Sequence, residues 1–212
     1  MLSSRDKIAK ALVKYVPEDS VPYLIELFFS QRVHFKVTKP RNTKHGDYRP
    51  EHKGKPHRIT VNSDLNPFAF LLTTIHEFAH LTTHVNYGFK VKAHGKEWKS
   101  EFKRLLQPIL DCGILPHDIE VELKKSLNNL KASTCTDKNL YRALKKYDDS
   151  ADNSVLLEQL NDQEYFRLGT RIFKRGRLQR TRFMCEEVHT RKKYLVSGIA
   201  QVERYYEGGN ER

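Results

Sequence analysis

Three histidines and one glutamate recur along a single apolar stretch, LLTTIHEFAHLTTH, at residues 71–84. Side chains four residues apart lie on the same face of a helix, with β-carbons about 5–6 Å apart. His76 and His80 can therefore direct both imidazoles at one cation. Glu77 lies one step around the helix, where it can reach a water molecule on that cation without binding the cation itself. This H-E-x-x-H pattern predicts a zinc site with Glu77 as general base.

Such a site needs a third protein ligand from elsewhere in the chain. His84 continues the stripe, but it lies about 12 Å along the helix axis from His76 at 1.5 Å per residue. Zinc bonds of about 2.1 Å do not span that distance. The best candidate is His94, because a chain that turns back at Gly88 can bring it to the open side of the metal. Gly95 would let the backbone pass close to the site.

Other interpretations of these residues remain open. Glu97 and Glu101 follow on the next predicted helix, and either carboxylate could be the third ligand instead of His94. His84 is expected to be a polar residue at the surface or behind the ligands. The motif could also be a solvent-facing stripe on an amphipathic helix, although burying these groups without partners would be costly. Six further histidines are treated as non-ligands: His34, His45, His52, His57, His117 and His189.

Strands and helices are predicted on both sides of the motif. Helical spacing indicates a first helix within 4–15 and a second from Ser20 onward. VHFKV (33–37) and RITVN (58–62) have the β-branched and aromatic composition of strands, and a long basic loop joins them. RITVN leads into the motif helix, so it is the predicted edge strand for an extended peptide substrate.

The motif helix is predicted to begin at Asn66-Pro67 and to end near Gly88. The segment HGKEWKSEFKRLL places Trp98 and Phe102 on the buried face of a following helix, which should stop at Pro108. Further helices are expected at 117–130 and 137–147.

The composition changes after this point, which divides the chain into three predicted parts. Residues 1–147 form an α+β domain, 148–159 a polar linker, and 160–212 a small basic unit of antiparallel strands. The second part contains DDSADNS, which is typical of a connection between domains.

The overall charge favours a polyanionic partner. Lys and Arg number 38 against 26 Asp and Glu, a net charge of +12. Within 165–194, ten cations stand against two acids, with aromatic residues interleaved. Six of these cations are the predicted nucleic-acid contacts: Arg175, Arg177, Arg180, Arg182, Lys192 and Lys193. The basic loop at 34–58 is equally ambiguous, and either region could be only a solvated face.

Composition also excludes several classes of protein. No apolar run approaches the ~20 residues that span a bilayer, and the N-terminus lacks the features of a signal peptide. Cys112, Cys135 and Cys185 are odd in number and far apart, so they suit neither a disulfide framework nor a thiolate zinc site. A cytoplasmic monomer is expected.

The motif and its surroundings resemble the SprT-like metallopeptidase domain. The resemblance rests on LLTTIHEFAHLTTH, on the following AHGKEWKSEF and on the preceding HGDYRP and HRITVNSDL, and it covers roughly residues 15–147. It implies a zincin-like α+β fold, one zinc ion held by His76, His80 and His94, and Glu77 as general base. Some members of the family act on proteins crosslinked to DNA.

The C-terminal unit departs from that family pattern. Many members end in a zinc ribbon with paired cysteines, whereas this unit contains only Cys185. We therefore expect it to fold without its own metal. The predicted function is a zinc metallopeptidase that acts on proteins or peptides, with DNA-associated proteins as one candidate class of substrate. The alternative is a nucleic-acid-binding protein, with DNA preferred over RNA, whose zinc is structural or inactive.

Overall fold

The computed structural model describes residues 3–41, 43–128, 137–148 and 154–206. Its architecture is α+β. The chain divides into two compact units, Met1–Asp148 and Asp149–Arg212. The first unit contains α1 (Ser4–Leu12), α2 (Val21–Ser30), β1 (Val33–Thr38), β2 (Gly46–Arg49), β3 (His57–Asn62), α3 (Pro67–Tyr87), α4 (Lys96–Asp111), α5 (His117–Asn128) and α6 (Lys138–Lys145).

The sheet of the first unit has the strand order β1-β3-β2. β3 runs parallel to β1 and antiparallel to β2, so it is paired along both edges. The prediction that RITVN is an exposed edge strand is therefore wrong. The basic connection between the two predicted strands also contains a strand of its own, Gly46–Arg49, and that strand occupies one edge of the sheet.

Helix α3 carries the motif through the centre of the first unit. The Asn66 side chain accepts a hydrogen bond from the Ala69 amide, and Pro67 occupies the first helical position, where no amide donor is needed. The helix ends at Gly88, whose φ of +67° favours glycine. Its residues from Phe70 to Ala79 are buried all around the helix, so no face of this segment is a solvent-exposed stripe.

Helix α4 packs against α3 through a buried row of large side chains. Trp98 and Phe102 stack with their ring centroids 4.9 Å apart. The helix was expected to stop at Pro108, but it continues to Asp111. A proline in the last turn removes only one backbone hydrogen bond. The Tyr23 hydroxyl donates to the Leu105 carbonyl close to that turn.

The second unit is an antiparallel sheet with the strand order β4-β9-β5-β6-β7-β8. Its strands are β4 (Ser154–Leu156), β5 (Tyr165–Leu168), β6 (Arg171–Gln179), β7 (Arg182–Glu187), β8 (Lys193–Ser197) and β9 (Gln201–Tyr205). A separate small core forms around Phe166, Phe173 and Cys185. Residues 154–159 were expected in the linker, but Ser154–Leu156 pairs with β9 and thus belongs to this sheet.

Two sequence features have simple structural outcomes. Cys112 is exposed and Cys185 is buried, while Cys135 lies outside the described residues. Among the helices that the structure describes, none has both the length and the apolar character needed to cross a membrane.

Candidate metal centre

The side chains of His76, His80 and His94 converge on one point. The Nε2 atom of His80 lies 3.2 Å from that of His76 and 3.0 Å from that of His94, and the third side of the triangle measures 3.1 Å. One cation with bonds of about 2.0–2.1 Å can reach all three nitrogens. These three residues are the group that could hold a metal ion among the described His, Cys, Asp and Glu side chains.

Hydrogen bonding alone does not explain three such contacts. Each imidazole nitrogen carries either a proton or a lone pair. Three nitrogens share only these two states, so at least two of them are alike and repel each other at about 3 Å. A cation that accepts all three lone pairs removes this conflict. The arrangement therefore fits a metal better than a hydrogen-bonded cluster.

The electrostatics of the three histidines also suit metal binding. Burial, helped by His80 and His94, lowers the pKa of His76 to about 2. Burial lowers the pKa of His80 to about 4, with His94 contributing, and it lowers the pKa of His94 as well. All three imidazoles are neutral at pH 7, which is the form that binds metal.

Local backbone geometry places His94 opposite the helix. After Gly88 the chain makes a short 3₁₀ turn and reaches His94, which adopts a left-handed φ of +59°. A β-carbon at Gly95 would lie 2.9 Å from the Lys92 carbonyl oxygen, so the close turn requires glycine there. Trp98 then packs against the rings of the histidine cluster, with centroids 4.7 Å from His76 and 4.6 Å from His94.

Glu77 is buried beside this cluster. Burial, reinforced by the negative charge of Asp47, raises the pKa of its carboxyl to about 7. The Tyr48 backbone amide donates a hydrogen bond to the same carboxylate. A β-carbon added to Gly46 would lie 2.5 Å from Glu77 Oε1, so β2 packs directly on this side chain.

Sequence reasoning missed the part played by β2 and the loop before it. Arg41 and Lys44 favour the charged form of Glu77, whereas Asp47 opposes it. Arg41 is itself held by Nε donation to the Asn62 side chain at 2.7 Å. The signal in the sequence was the glycine in GDYR, a four-residue strand too short to distinguish from its charged surroundings.

The alternative ligands lie elsewhere. The Glu101 carboxylate accepts hydrogen bonds from Arg104 at 2.7 Å and from Asn86 at 3.1 Å. Glu97 lies 3.8 Å from the Lys96 ammonium, and neither carboxylate belongs to the histidine cluster. His84 instead packs between two other rings. Its ring centroid lies 4.4 Å from that of Phe89 and 5.8 Å from that of His57.

The Tyr48 ring contacts both His84 and His80, one of the candidate ligands. Its ring lies parallel to the His80 ring at 6.5 Å and tilted against the His84 ring at 6.3 Å. The Tyr48 hydroxyl lies 3.1 Å from His57 Nδ1, which also accepts a hydrogen bond from the Glu51 amide. His57 is thus a buried structural histidine, in keeping with its treatment as a non-ligand.

The six predicted nucleic-acid contacts lie in the second unit, but they do not all line one surface cavity. Arg175 and Arg177 line a cavity of about 560 Å³. The cavity is also lined by two cations that were not predicted, one acid and an aromatic ring: Lys174, Arg191, Glu186 and Tyr165. Lys193 was predicted and lies there too, whereas Arg180, Arg182 and Lys192 are exposed outside it.

Comparison with known proteins bears on the first unit. A model of the SprT-like family matches residues 22–130, a segment that includes β1 to β3, α3, α4 and all three histidines of the cluster. No curated protein and no solved structure gave a significant match to the chain. The matched segment covers just over half of the 212 residues, and the resemblance predicted from the motifs is thereby confirmed: the chain belongs to the SprT-like family.

Proposed function

We propose that this protein is a zinc-dependent metallopeptidase whose first unit has a zincin-like fold. The observation that carries the proposal is the convergence of three neutral imidazole nitrogens beside a buried carboxylate. His76, His80 and His94 would hold the ion. Three nitrogen ligands with a neighbouring carboxylate are the set that catalytic zinc uses, because one position remains for water or substrate.

When bound, zinc would polarise the carbonyl group of the substrate and lower the pKa of a water molecule to near 7. Glu77 would take a proton from a water molecule as its oxygen adds to the peptide carbon, and would return that proton to the leaving nitrogen as the C–N bond breaks. Burial, which raises the pKa of this carboxyl in the metal-free protein, favours its uptake of a proton. The Tyr48 amide, which donates a hydrogen bond to the carboxylate, would hold it in one orientation for both proton transfers.

The substrate backbone is expected along β2. Among the described strands this one pairs only with β3, so it forms an edge of the sheet to which an extended peptide could be added. It also passes directly over Glu77 at Gly46. An extended peptide added to this edge would bring its carbonyl groups past the metal cluster, and β-strand addition is a common way to bind peptides without reading their sequence.

Metal-dependent hydrolysis tests this proposal. Purified protein would be stripped with a chelator, reloaded with one equivalent of zinc and incubated with casein, with and without DNA. Cleavage should disappear on stripping and return on reloading. Protein that holds one zinc per chain and cleaves nothing in either condition contradicts the proposal.

A second candidate function rests on the cavity of the second unit. Five cations line it against one acid, and Tyr165 lies beside Lys174 with the ammonium 5.7 Å from the ring centroid. We propose that this surface binds nucleic acid, DNA in preference to RNA, and holds the peptidase near DNA-associated proteins. Cationic side chains interleaved with an aromatic ring suit a phosphate backbone with stacked bases. This function does not require the first unit to be active.

A further inference from the structure

Phe89 is an exposed aromatic residue five positions before His94 of the candidate metal centre. Its side chain is 81% exposed, although it lies in the short turn Gly88–Lys90 that connects α3 to His94. Its ring packs edge-on against His84, with centroids 4.4 Å apart. The exposed ring is apolar surface that a ligand could cover.

The path of β2 leads from Glu77 towards this aromatic group. Gly46 lies against the Glu77 carboxylate. Two residues later, the Tyr48 ring faces both His80 and His84. β2 therefore runs along α3 in the direction from Glu77 to His84. A peptide paired with the outer edge of β2 would follow the same path and approach Phe89.

The distance along this path can be stated in substrate residues. Glu77 and His84 are seven residues apart on one helix, which is about 10 Å at 1.5 Å per residue. An extended peptide advances about 3.3 Å per residue. The aromatic group thus lies about three residues from the peptide bond that Glu77 would serve.

We propose that Phe89 and His84 form a ledge that selects an apolar substrate side chain, about three residues from the scissile bond. This inference rests on the proposed peptidase function and adds a preference to it. Backbone pairing with β2 would hold any extended peptide, so side-chain selection requires a separate surface. The ledge supplies one, because burying an apolar side chain against the Phe89 ring removes both from water.

The test compares peptide substrates across three proteins: wild type, Phe89→Ala and Phe29→Ala. Phe29 is the matched control, an exposed phenylalanine on α2 whose ring packs under Arg5. The substrates differ only at the positions two to four residues from the cleaved bond, on either side, and carry leucine or serine there. Wild type and Phe29→Ala should prefer leucine at one of these positions by about tenfold in kcat/KM. Phe89→Ala should lose most of that preference.

Peptide binding separates failure of the ledge from failure of the peptidase proposal. Fluorescent leucine and serine peptides would be titrated into Glu77→Gln protein and into the double variant Glu77→Gln/Phe89→Ala. Tighter binding of the leucine peptide by the first protein alone supports the ledge, even if wild type hydrolyses nothing. Equal discrimination with and without Phe89 overturns it. A wild-type dimer that becomes a monomer on Phe89→Ala, measured by light scattering, would overturn it too, because the ring would then face a second copy.

Discussion

Gly46 and Glu77 are packed so closely that a β-carbon on Gly46 would lie 2.5 Å from Glu77 Oε1 and 2.8 Å from its Cγ. Contacts below 3.0 Å essentially never occur for a real β-carbon, so the strand or the carboxylate would have to move. The backbone amide of Tyr48, on the same strand, donates a hydrogen bond to that carboxylate. β2 therefore fixes the position of the proposed general base from the side opposite its own helix.

Gly46→Ala should reduce hydrolysis strongly while leaving zinc content unchanged. A displacement of about 1 Å at a catalytic group can cost ~10²-fold in rate. The measurement is kcat on a peptide substrate beside zinc analysis of the same sample. Gly113→Ala is the control, because Gly113 has a positive φ of 63° and open space around it. It should cost about 1 kcal/mol of stability without changing kcat. Full kcat in Gly46→Ala would show that β2 does not position Glu77.

In the metal-free protein, burial of Glu77 makes the contribution of this residue to stability decline as the pH rises. The folded pKa of about 7 exceeds the usual value of 4.5, so the folded state keeps a proton that the unfolded state releases. The contribution of Glu77 to stability therefore declines between pH 4.5 and 7 and stays low above that.

Glu77→Gln should stabilise the chelator-treated protein at pH 8 by about 1–3 kcal/mol, and much less at pH 5. Urea unfolding at the two pH values gives the comparison, and the histidine contributions are common to both proteins. A difference that is the same at pH 5 and pH 8 would mean that the carboxyl does not titrate in this window.

Metal content should follow the three convergent histidines. His76→Ala, His80→Ala and His94→Ala should each lose stoichiometric zinc, measured by elemental analysis after dialysis, because two remaining nitrogens form a much weaker site. His84→Ala and Glu101→Gln are the controls and should retain it, since these side chains contact Phe89 and Arg104 instead. Full zinc in His94→Ala would move the third ligand to another residue.

The proposed nucleic-acid surface predicts a specific change in salt dependence. Neutralising four cavity cations, Lys174, Arg177, Arg191 and Lys193, should weaken binding to single-stranded DNA and reduce the slope of log K against log salt by about 3. The control removes four exposed cations of the first unit: Lys7, Lys10, Lys36 and Lys39. Binding isotherms at several salt concentrations distinguish the two sets. Equal effects would assign the binding to net charge alone.

Local patterns in the sequence predicted the elements that depend on near neighbours. The spacing of His76 and His80 follows from the helical period, and the start of α3 at Asn66-Pro67 follows from capping chemistry. His94 was reached by supposing a chain reversal at Gly88, where the helix does end.

Strand order depends on pairing between distant segments, which local patterns do not reveal. The prediction that RITVN is an edge strand rested on its position before the motif helix, yet its apolar residues Ile59 and Val61 are fully buried between two neighbouring strands. The partner on one side is Gly46–Arg49, which is short and polar and shows no clear strand pattern. The contact of Gly46 with Glu77 was invisible for the same reason.

Glu77 is the proposed general base of a zinc peptidase. The most direct test of this role is the hydrolysis rate of Glu77→Gln, which keeps the shape of the side chain and removes the proton acceptor. We predict one zinc per chain, unchanged from wild type, and a fall in peptide hydrolysis of at least ~10²-fold, measured with DNA present. A variant that retains both its zinc and the wild-type rate would contradict the account.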